Sequence, residues 1–365
     1  MRGAGGGEGR GAEGLPGAEL EAVLERTEGA WRALRGARLF LTGGTGFFGT
    51  WMLETLAWAV DRLDVDVRAV VLTRAPEAFG RKAPHLASHR ALAFHAGDVR
   101  GFSAPPGAFS HVAHLATTAA SALNQQDPLD TFDVVVGGTR RALECARDAG
   151  AGTFLLASSG AVYGRQPPGV AGLAEDAPAH LDPCDPKATY AEAKRAAEQL
   201  CQLFSARHRM ACPIARGFAF SGPHLPLDGG YALGSFVRDA LAGGPLRIGG
   251  DGTPLRSYLY AGDLAAWLWT LLARGEGCRA YNVGSEEAVS IAELAGAVAD
   301  VAAGLGGARP EVLVARPPEP GRPPERYIPS TARARQELGL EQTVPLREGI
   351  RRMLEFHRQQ AERPH

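Results

Sequence analysis

Three observations predict a doubly wound α/β fold built on a parallel sheet. Short β-branched or apolar runs alternate with helical stretches along most of the chain. These runs are too continuously apolar for strands with one wet face. The first of them runs straight into a glycine-rich turn that opens a helix. At 365 residues, 45% of them hydrophobic, the chain can bury a large core and suits one large α/β unit or two intertwined lobes. Thirty-nine Lys and Arg against 40 Asp and Glu leave a formal charge of −1, which argues against nucleic acid as a partner. No apolar run approaches the roughly 18 residues of a membrane span, and the Gly-, Glu- and Arg-rich start is unlike a signal peptide. A cytoplasmic protein with no membrane partner is expected. The cysteines Cys145, Cys184, Cys201, Cys212 and Cys278 are scattered without a C-x-x-C pair, so neither a disulfide framework nor a metal site is expected.

Residues 1–16 are too glycine-rich and polar to bury apolar area and are expected to form a flexible leader. From Gly17 to Arg35, Leu20, Leu24, Trp31 and Leu34 fall near helical spacing, which predicts an amphipathic helix within residues 17–36 that packs on the following domain. Strands are then predicted at Arg38–Thr42, Val67–Thr73, Leu92–Ala96, His111–Leu115, Thr153–Ser158 and Cys212–Phe218. Helices fall between them, at Trp51–Arg62, Pro128–Ala149 and Tyr190–His208, completing a domain over 37–221. Beyond Gly222 the pattern loosens into Pro- and Gly-punctuated loops, with helices near Ala232–Ala242, Gly262–Ala273, Ile291–Ala303 and Leu346–Arg358. Residues 222–365 are therefore expected to form mainly a smaller lobe, some of whose segments return to the first sheet. Such a lobe places a cleft over the carboxyl ends of the strands, where open α/β sheets bind ligands.

The first strand leads into Gly43-Gly44-Thr45-Gly46-Phe47-Phe48-Gly49, with glycines at the spacing G-x-x-G-x-x-G. Gly43 permits a tight turn, Gly46 lets backbone N–H groups approach a pyrophosphate, and Gly49 lets helix and strand pack closely. The strand–loop–helix setting is what gives this short pattern weight. The second strand ends at Thr73-Arg74, where an NAD site usually carries an acid for the ribose hydroxyls. Arg74 instead suits a 2′-phosphate, which leaves NADP open; an exposed loop arginine is equally consistent. Asp98, followed by Val99 after the third strand, is placed to meet an adenine ring or to form an ordinary polar turn.

Ser159-Gly160-Ala161-Val162-Tyr163-Gly164 follows the fifth strand, and Tyr190 and Lys194 lie four apart on a predicted helix, hence on one face. A lysine ammonium, aided by a positive nicotinamide, favours tyrosinate and brings a phenol toward neutrality, as a general acid/base requires. Ser159 is placed to bond the same substrate oxygen.

Together these motifs resemble an extended short-chain dehydrogenase/reductase of the NAD-dependent epimerase/dehydratase group acting on nucleotide sugars. The likeness runs from Arg38 to Arg358 and includes His114-Leu115-Ala116, Gly138-Thr139, Gly222-Pro223, Gly249-Gly250-Asp251-Gly252, Arg256-Ser257-Tyr258, Asp263 and Tyr281-Asn282-Val283-Gly284. The resemblance implies a Rossmann-type fold, a nucleotide-sugar substrate, NAD as cofactor and a homodimer. It implies Tyr190 as acid/base, Lys194 on the nicotinamide ribose and Ser159 completing the triad. Gly43, Thr45, Gly46, Phe47, Phe48, Gly49, Arg74, Asp98, Val99, Leu115, Ala116 and Thr117 would line the cofactor. Ser159, Gly160, Ala219, Arg256 and Tyr281 fall at substrate positions, with Arg256 on the diphosphate, where its fixed fork suits the ligand. Arg216 and Tyr281 are equally placed to brace the lobes.

Departures from the pattern narrow the chemistry. Sugar 4,6-dehydratases resemble T-D-E-V-Y-G and UDP-glucuronate decarboxylases T-S-E-V-Y-G where this chain has Ser159-Gly160-Ala161-Val162-Tyr163-Gly164. Neither Gly160 nor Ala161 can transfer a proton, which disfavours dehydration and decarboxylation unless an acid is relocated. Chemistry needing only hydride transfer and one acid/base remains, similar to that of UDP-galactose 4-epimerase; an NADPH-dependent keto-sugar reductase is the alternative that Arg74 suits. A non-catalytic dinucleotide sensor is a further alternative, against which the intact Ser159, Tyr190 and Lys194 speak. Asparagines usual in the family are replaced by Ala219 and Val135. His95, His114 and Cys145 fit packing roles, Trp267 and Trp269 a core or interface, and the run from Arg316 to Arg326 a solvated Pro-rich loop.

Overall fold

A computed structural model describes residues 14–117 and 127–362. Seven parallel strands form the main sheet in the spatial order Ala280–Val283, Ile214–Gly217, Thr153–Ser159, His111–His114, Arg38–Thr42, Arg68–Thr73 and Leu92–Ala96. The chain winds outward from Arg38–Thr42 on one side, then returns to build the other. The strand order reverses between Arg38–Thr42 and His111–His114, and there the carboxyl ends of the strands open a ligand crevice.

Successive residues of a strand face opposite sides of the sheet, and here both sides are covered. Leu39 and Leu41 join one core with Trp51, Val71, Leu155 and Trp269. Phe40 joins the other with Val112, Phe154, Leu143 and Cys201. That two-sided burial is the physical source of the continuous apolar runs.

Two predicted elements are corrected. The strand predicted at Cys212–Phe218 is shorter, Ile214–Gly217, and a separate strand that the sequence pattern did not predict, Ala219–Ser221, follows it and pairs with Tyr258–Tyr260. The helix predicted over Pro128–Ala149 contains a π-helical turn, Asp133–Gly137, between α-helical Pro128–Phe132 and Gly138–Asp148. Sequence periodicity also passed over the seventh strand, Ala280–Val283, which comes from the C-terminal part of the chain and pairs with Ile214–Gly217.

The helix Gly17–Ala33 lies against Ala261–Arg274. Its Trp31 ring is 4.5 Å from that of Trp269, and Trp269 Nε1 donates to Thr55 Oγ1 at 2.8 Å. Arg26 pairs with the wholly buried Asp263 carboxylate, which also accepts from the amides of Thr343 and Val344. Leu15, assigned from sequence to the leader, is buried in this same core; residues 1–13 of the predicted leader lie outside the described residues.

Phe236, Val237, Leu294, Val298, Ile350 and Leu354 form a separate core in the smaller lobe. Its helix Ile291–Gly304 starts on a capping box, Ser290 accepting from the Glu293 amide while Glu293 accepts from the Ser290 amide. A three-stranded sheet orders Val289–Ser290, Leu255–Arg256 and Arg326–Tyr327, which sets Arg256 and Tyr327 side by side over the main sheet's loops. Among the described residues no helix is long and apolar enough to cross a membrane, and no His/Cys/Asp/Glu group is arranged to hold a metal.

Candidate active site

The glycine loop sits at the point where strand order reverses. Gly43 has φ +70°, and a Cβ there would lie 2.5 Å from the Ala116 amide nitrogen, so both conformation and space demand glycine. At Gly49 a Cβ would lie 2.3 Å from Gly44 Cα: the helix rests directly on the loop. Gly44, which the spacing leaves without a role, is also required, since a Cβ would come within 2.5 Å of Val71 Cγ1. Gly46 differs from these. It is exposed, and a Cβ would meet only the Gly43 carbonyl, at 3.4 Å. The helix Phe47–Arg62 that starts there has no side-chain cap and no acid in its first turn, leaving its first amides and the positive end of its dipole for an anion. An open face above an uncapped helix end fits a dinucleotide pyrophosphate. Thr45 is half-buried in the loop, the Phe47 and Phe48 rings lie 5.8 Å apart, and Phe48 meets Phe220 at 4.9 Å.

Around the rim, Leu115 is buried and its amide donates to the Thr42 carbonyl at 3.0 Å. Ala116 donates to Thr42 Oγ1 at 3.4 Å. Val99 packs on the helix start at Gly138, where a Cβ would be 2.9 Å from its Cγ1. Asp98 is clamped by Arg100, Nε to Oδ1 at 2.8 Å and Nη2 to Oδ2 at 3.0 Å. Those hydrogen bonds hold its carboxyl down to about 2, with a smaller pull from the charge of exposed Arg74.

Strand Thr153–Ser159 ends at the reactive group. Ser159 Oγ accepts from the Ala161 amide at 3.1 Å, capping the turn Gly160–Tyr163. Tyr190 opens the helix Thr189–His208, and its phenol interacts with the hydroxyls of Ser159 and Thr117; burial raises its pKa, and those two hydroxyls oppose the rise. Lys194, one turn on, has its Nζ 5.8 Å from the Tyr190 ring centroid and donates to the Ala157 carbonyl at 2.8 Å. It is only 2% exposed, and burial lowers its pKa to about 8, partly offset by Glu198. Thus the segments after two strands, His111–His114 and Thr153–Ser159, and the start of one helix bring a phenol, two hydroxyls and a buried ammonium to one place.

Residues 39–284 match the family described as NAD dependent epimerase/dehydratase. The chain belongs to that family. It is an NAD-dependent enzyme of the nucleotide-sugar epimerase/dehydratase kind. A UDP-glucuronic acid decarboxylase of Xenopus tropicalis is 29% identical over 327 residues, covering 89% of this chain and 73% of that one. A dTDP-glucose 4,6-dehydratase of Streptomyces venezuelae, solved with NAD, superposes with a TM-score of 0.73 at 25% identity, covering 88% of this chain and 97% of that one. A UDP-glucose 4-epimerase of Thermus thermophilus, also solved with NAD, gives a TM-score of 0.72 at 28% identity over 88% and 99%.

Several residues singled out within the family pattern are engaged away from Tyr190. The Tyr281 hydroxyl donates to Glu337 at 3.0 Å, so it braces the Arg279–Glu337 pair rather than facing the strand end. Arg216 binds Glu198 at 2.7 Å and donates to the Tyr163 hydroxyl and the Glu175 carbonyl, each at 2.9 Å. Tyr163 in turn donates to Asn282 at 2.7 Å. Ala219 packs on the smaller lobe's core, as does Phe47. Val135 is buried in the π turn, against the sheet's second core, which explains an apolar residue where the family usually has asparagine. His114 bonds Thr42 at 2.7 Å and Thr139 at 3.1 Å, and burial drops its pKa to about 3; it is a core histidine. Arg256 stays half-buried beside Glu325, 3.9 Å away. Sequence reasoning missed Phe218 and Tyr327, whose side chains close over Gly160. Tyr327 follows the Pro-rich run on a two-residue strand, too short for any periodic signal.

Proposed function

We propose that this chain is a nucleotide-sugar epimerase, inverting one sugar hydroxyl in a cycle that is redox-neutral overall, with NAD as resident cofactor. The supporting observation is the filled space at Gly160. A Cβ there would lie 2.7 Å from Phe218 Cζ and 2.7 Å from the Tyr327 hydroxyl, so no carboxylate fits at the position where dehydratases place one. Glu175 and Glu198 behind the strand end are held by Arg333 and Arg216. The hydroxyl groups acting on the Tyr190 phenol are those of Ser159, Thr117 and Tyr231, none of them a carboxylic acid.

A nicotinamide cofactor held at the glycine loop would supply a reversible hydride acceptor for the sugar carbon. The chain supplies the rest. Lys194 beneath the Tyr190 ring favours the phenolate, and Tyr190 takes the proton of the sugar hydroxyl and later restores it to the keto oxygen. Ser159 holds that same oxygen. Arg256 fits the diphosphate, and a nearby cavity of about 280 Å³ lined by Gly230, Phe236, Arg247, Gly249, Gly250 and Gly252 is suited to the nucleoside. The same proposal includes a homodimer, on family resemblance alone.

UDP-glucuronate decarboxylation is the second reading, favoured by the name of the Xenopus relative. Incubating the enzyme with UDP-, dTDP-, GDP- and CDP-sugars without reductant, then separating and weighing the products, distinguishes the two. An equal-mass product of new retention, absent with Tyr190→Phe, is expected. Loss of carbon dioxide or water overturns the epimerase reading, and a product formed only with added NADPH shows a reductase.

A further inference from the structure

Tyr327 is held by both halves of the molecule. Strand Arg326–Tyr327 pairs in parallel with Leu255–Arg256, which sets Tyr327 opposite Arg256. The next residue is locked to the larger domain: the Ile328 amide donates to Gln166 Oε1 at 2.9 Å, and its carbonyl accepts from the Leu173 amide at 2.9 Å. The Tyr327 ring packs 4.6 Å from that of Phe218, with the Arg256 guanidinium 6.0 Å from its centroid. Its hydroxyl reaches the space that a side chain on Gly160 would fill. Ser159 interacts with this phenol and with Tyr190 alike. One serine therefore joins two phenols at the strand end, and the second stands between Ser159 and the arginine suited to the diphosphate. A sugar attached to that diphosphate and presented to Tyr190 has to pass over Tyr327.

We propose that Tyr327 is a further catalytic residue of this site, a phenol that donates a hydrogen bond to an oxygen of the bound sugar while Tyr190 carries the proton. The inference rests on the reading of the site as one that oxidises a nucleotide sugar. Burial raises the Tyr327 pKa, opposed first by the hydrogen bond with Ser159 and less by Arg256, so this phenol stays protonated and serves as a donor. Tyr190 differs in having Lys194 beneath its ring. A glycine at 160 is then needed to give the Tyr327 hydroxyl its place, and the phenol fills room that an acid would otherwise take.

Two variants test this, Tyr327→Phe, which keeps the ring packed on Phe218, and Gly160→Ala, whose methyl displaces the hydroxyl and the Phe218 ring without removing either. Binding of UDP-glucose and dTDP-glucose is compared with that of UDP and dTDP, and turnover is followed on whichever nucleotide sugar reacts. The expected result is a kcat lower by about 10- to 100-fold in both variants, loss of the extra affinity that the sugar confers over the bare nucleoside diphosphate, and unchanged affinity for UDP or dTDP. The proposal is overturned if kcat and the sugar's extra affinity are unchanged, or if the unsubstituted enzyme binds neither nucleotide sugar more tightly than its diphosphate. A product of altered mass whose formation Tyr327→Phe still slows would sink the epimerase reading and leave this inference standing.

Discussion

Lys194 shows how this site trades stability for chemistry. An ammonium only 2% exposed, bonded to a single carbonyl, is costly to bury. The fall of its pKa from 10.5 to about 8 corresponds to a cost of roughly 3 kcal/mol. Below pH 8 the folded and unfolded chains both carry the charge and the cost is present in full. Between about 8 and 10.5 the unfolded chain holds more protons, so this residue makes stability rise with pH. Lys194→Met should therefore lose turnover by at least about 100-fold without lowering the urea midpoint at pH 7, and it should flatten the rise in stability above pH 8; urea titrations across that range check the sign. Tyr190→Phe, which deletes only the hydroxyl shared with Ser159 and Thr117, should cost about 100- to 10,000-fold in kcat with unchanged affinity for UDP in a binding titration.

The glycine loop carries two kinds of glycine, and substitution separates them. Gly49→Ala forces a methyl to within 2.3 Å of Gly44 Cα and should destabilise the fold by about 1–3 kcal/mol. Gly46→Ala meets only the Gly43 carbonyl, at 3.4 Å, and should leave stability within about 0.5 kcal/mol while weakening NAD binding; denaturation midpoints and a cofactor titration read the two effects. Strands buried on both faces were legible because neither face interrupts the apolar run. The loop was legible because its glycines fall between a strand and a helix, and the Tyr190–Lys194 pair because helical spacing stacks them. Ala280–Val283 was not, since its place in the sheet is decided by pairing with Ile214–Gly217 rather than by its own short pattern. The π turn at Asp133–Gly137 leaves no local signature in an otherwise helical sequence, and Tyr327 reaches the site only through strand pairing across the lobes.

Across the whole molecule, the N-terminal helix is part of the packed unit. Trp31 is 1% exposed, bonds Thr27 Oγ1 at 2.9 Å and stacks near Trp269, which lies on the helix that follows the lobe strand Tyr258–Tyr260. Trp31→Ala should cost about 3–5 kcal/mol in urea unfolding, although this tryptophan packs in the core shared with Trp269 rather than among the reactive residues. At the same scale, Phe218 of the larger domain and Tyr327 of the smaller lobe close over Gly160, and the proposal built on that closure is an oxidation that is reversed in place. Turnover of a reactive nucleotide sugar in heavy water, with the product examined by mass spectrometry, tests that claim most directly. A hydride taken from a sugar carbon and returned to it predicts an epimer of unchanged mass with no deuterium bound to carbon; a product lighter by water or carbon dioxide, or one carrying solvent deuterium on carbon, would contradict it.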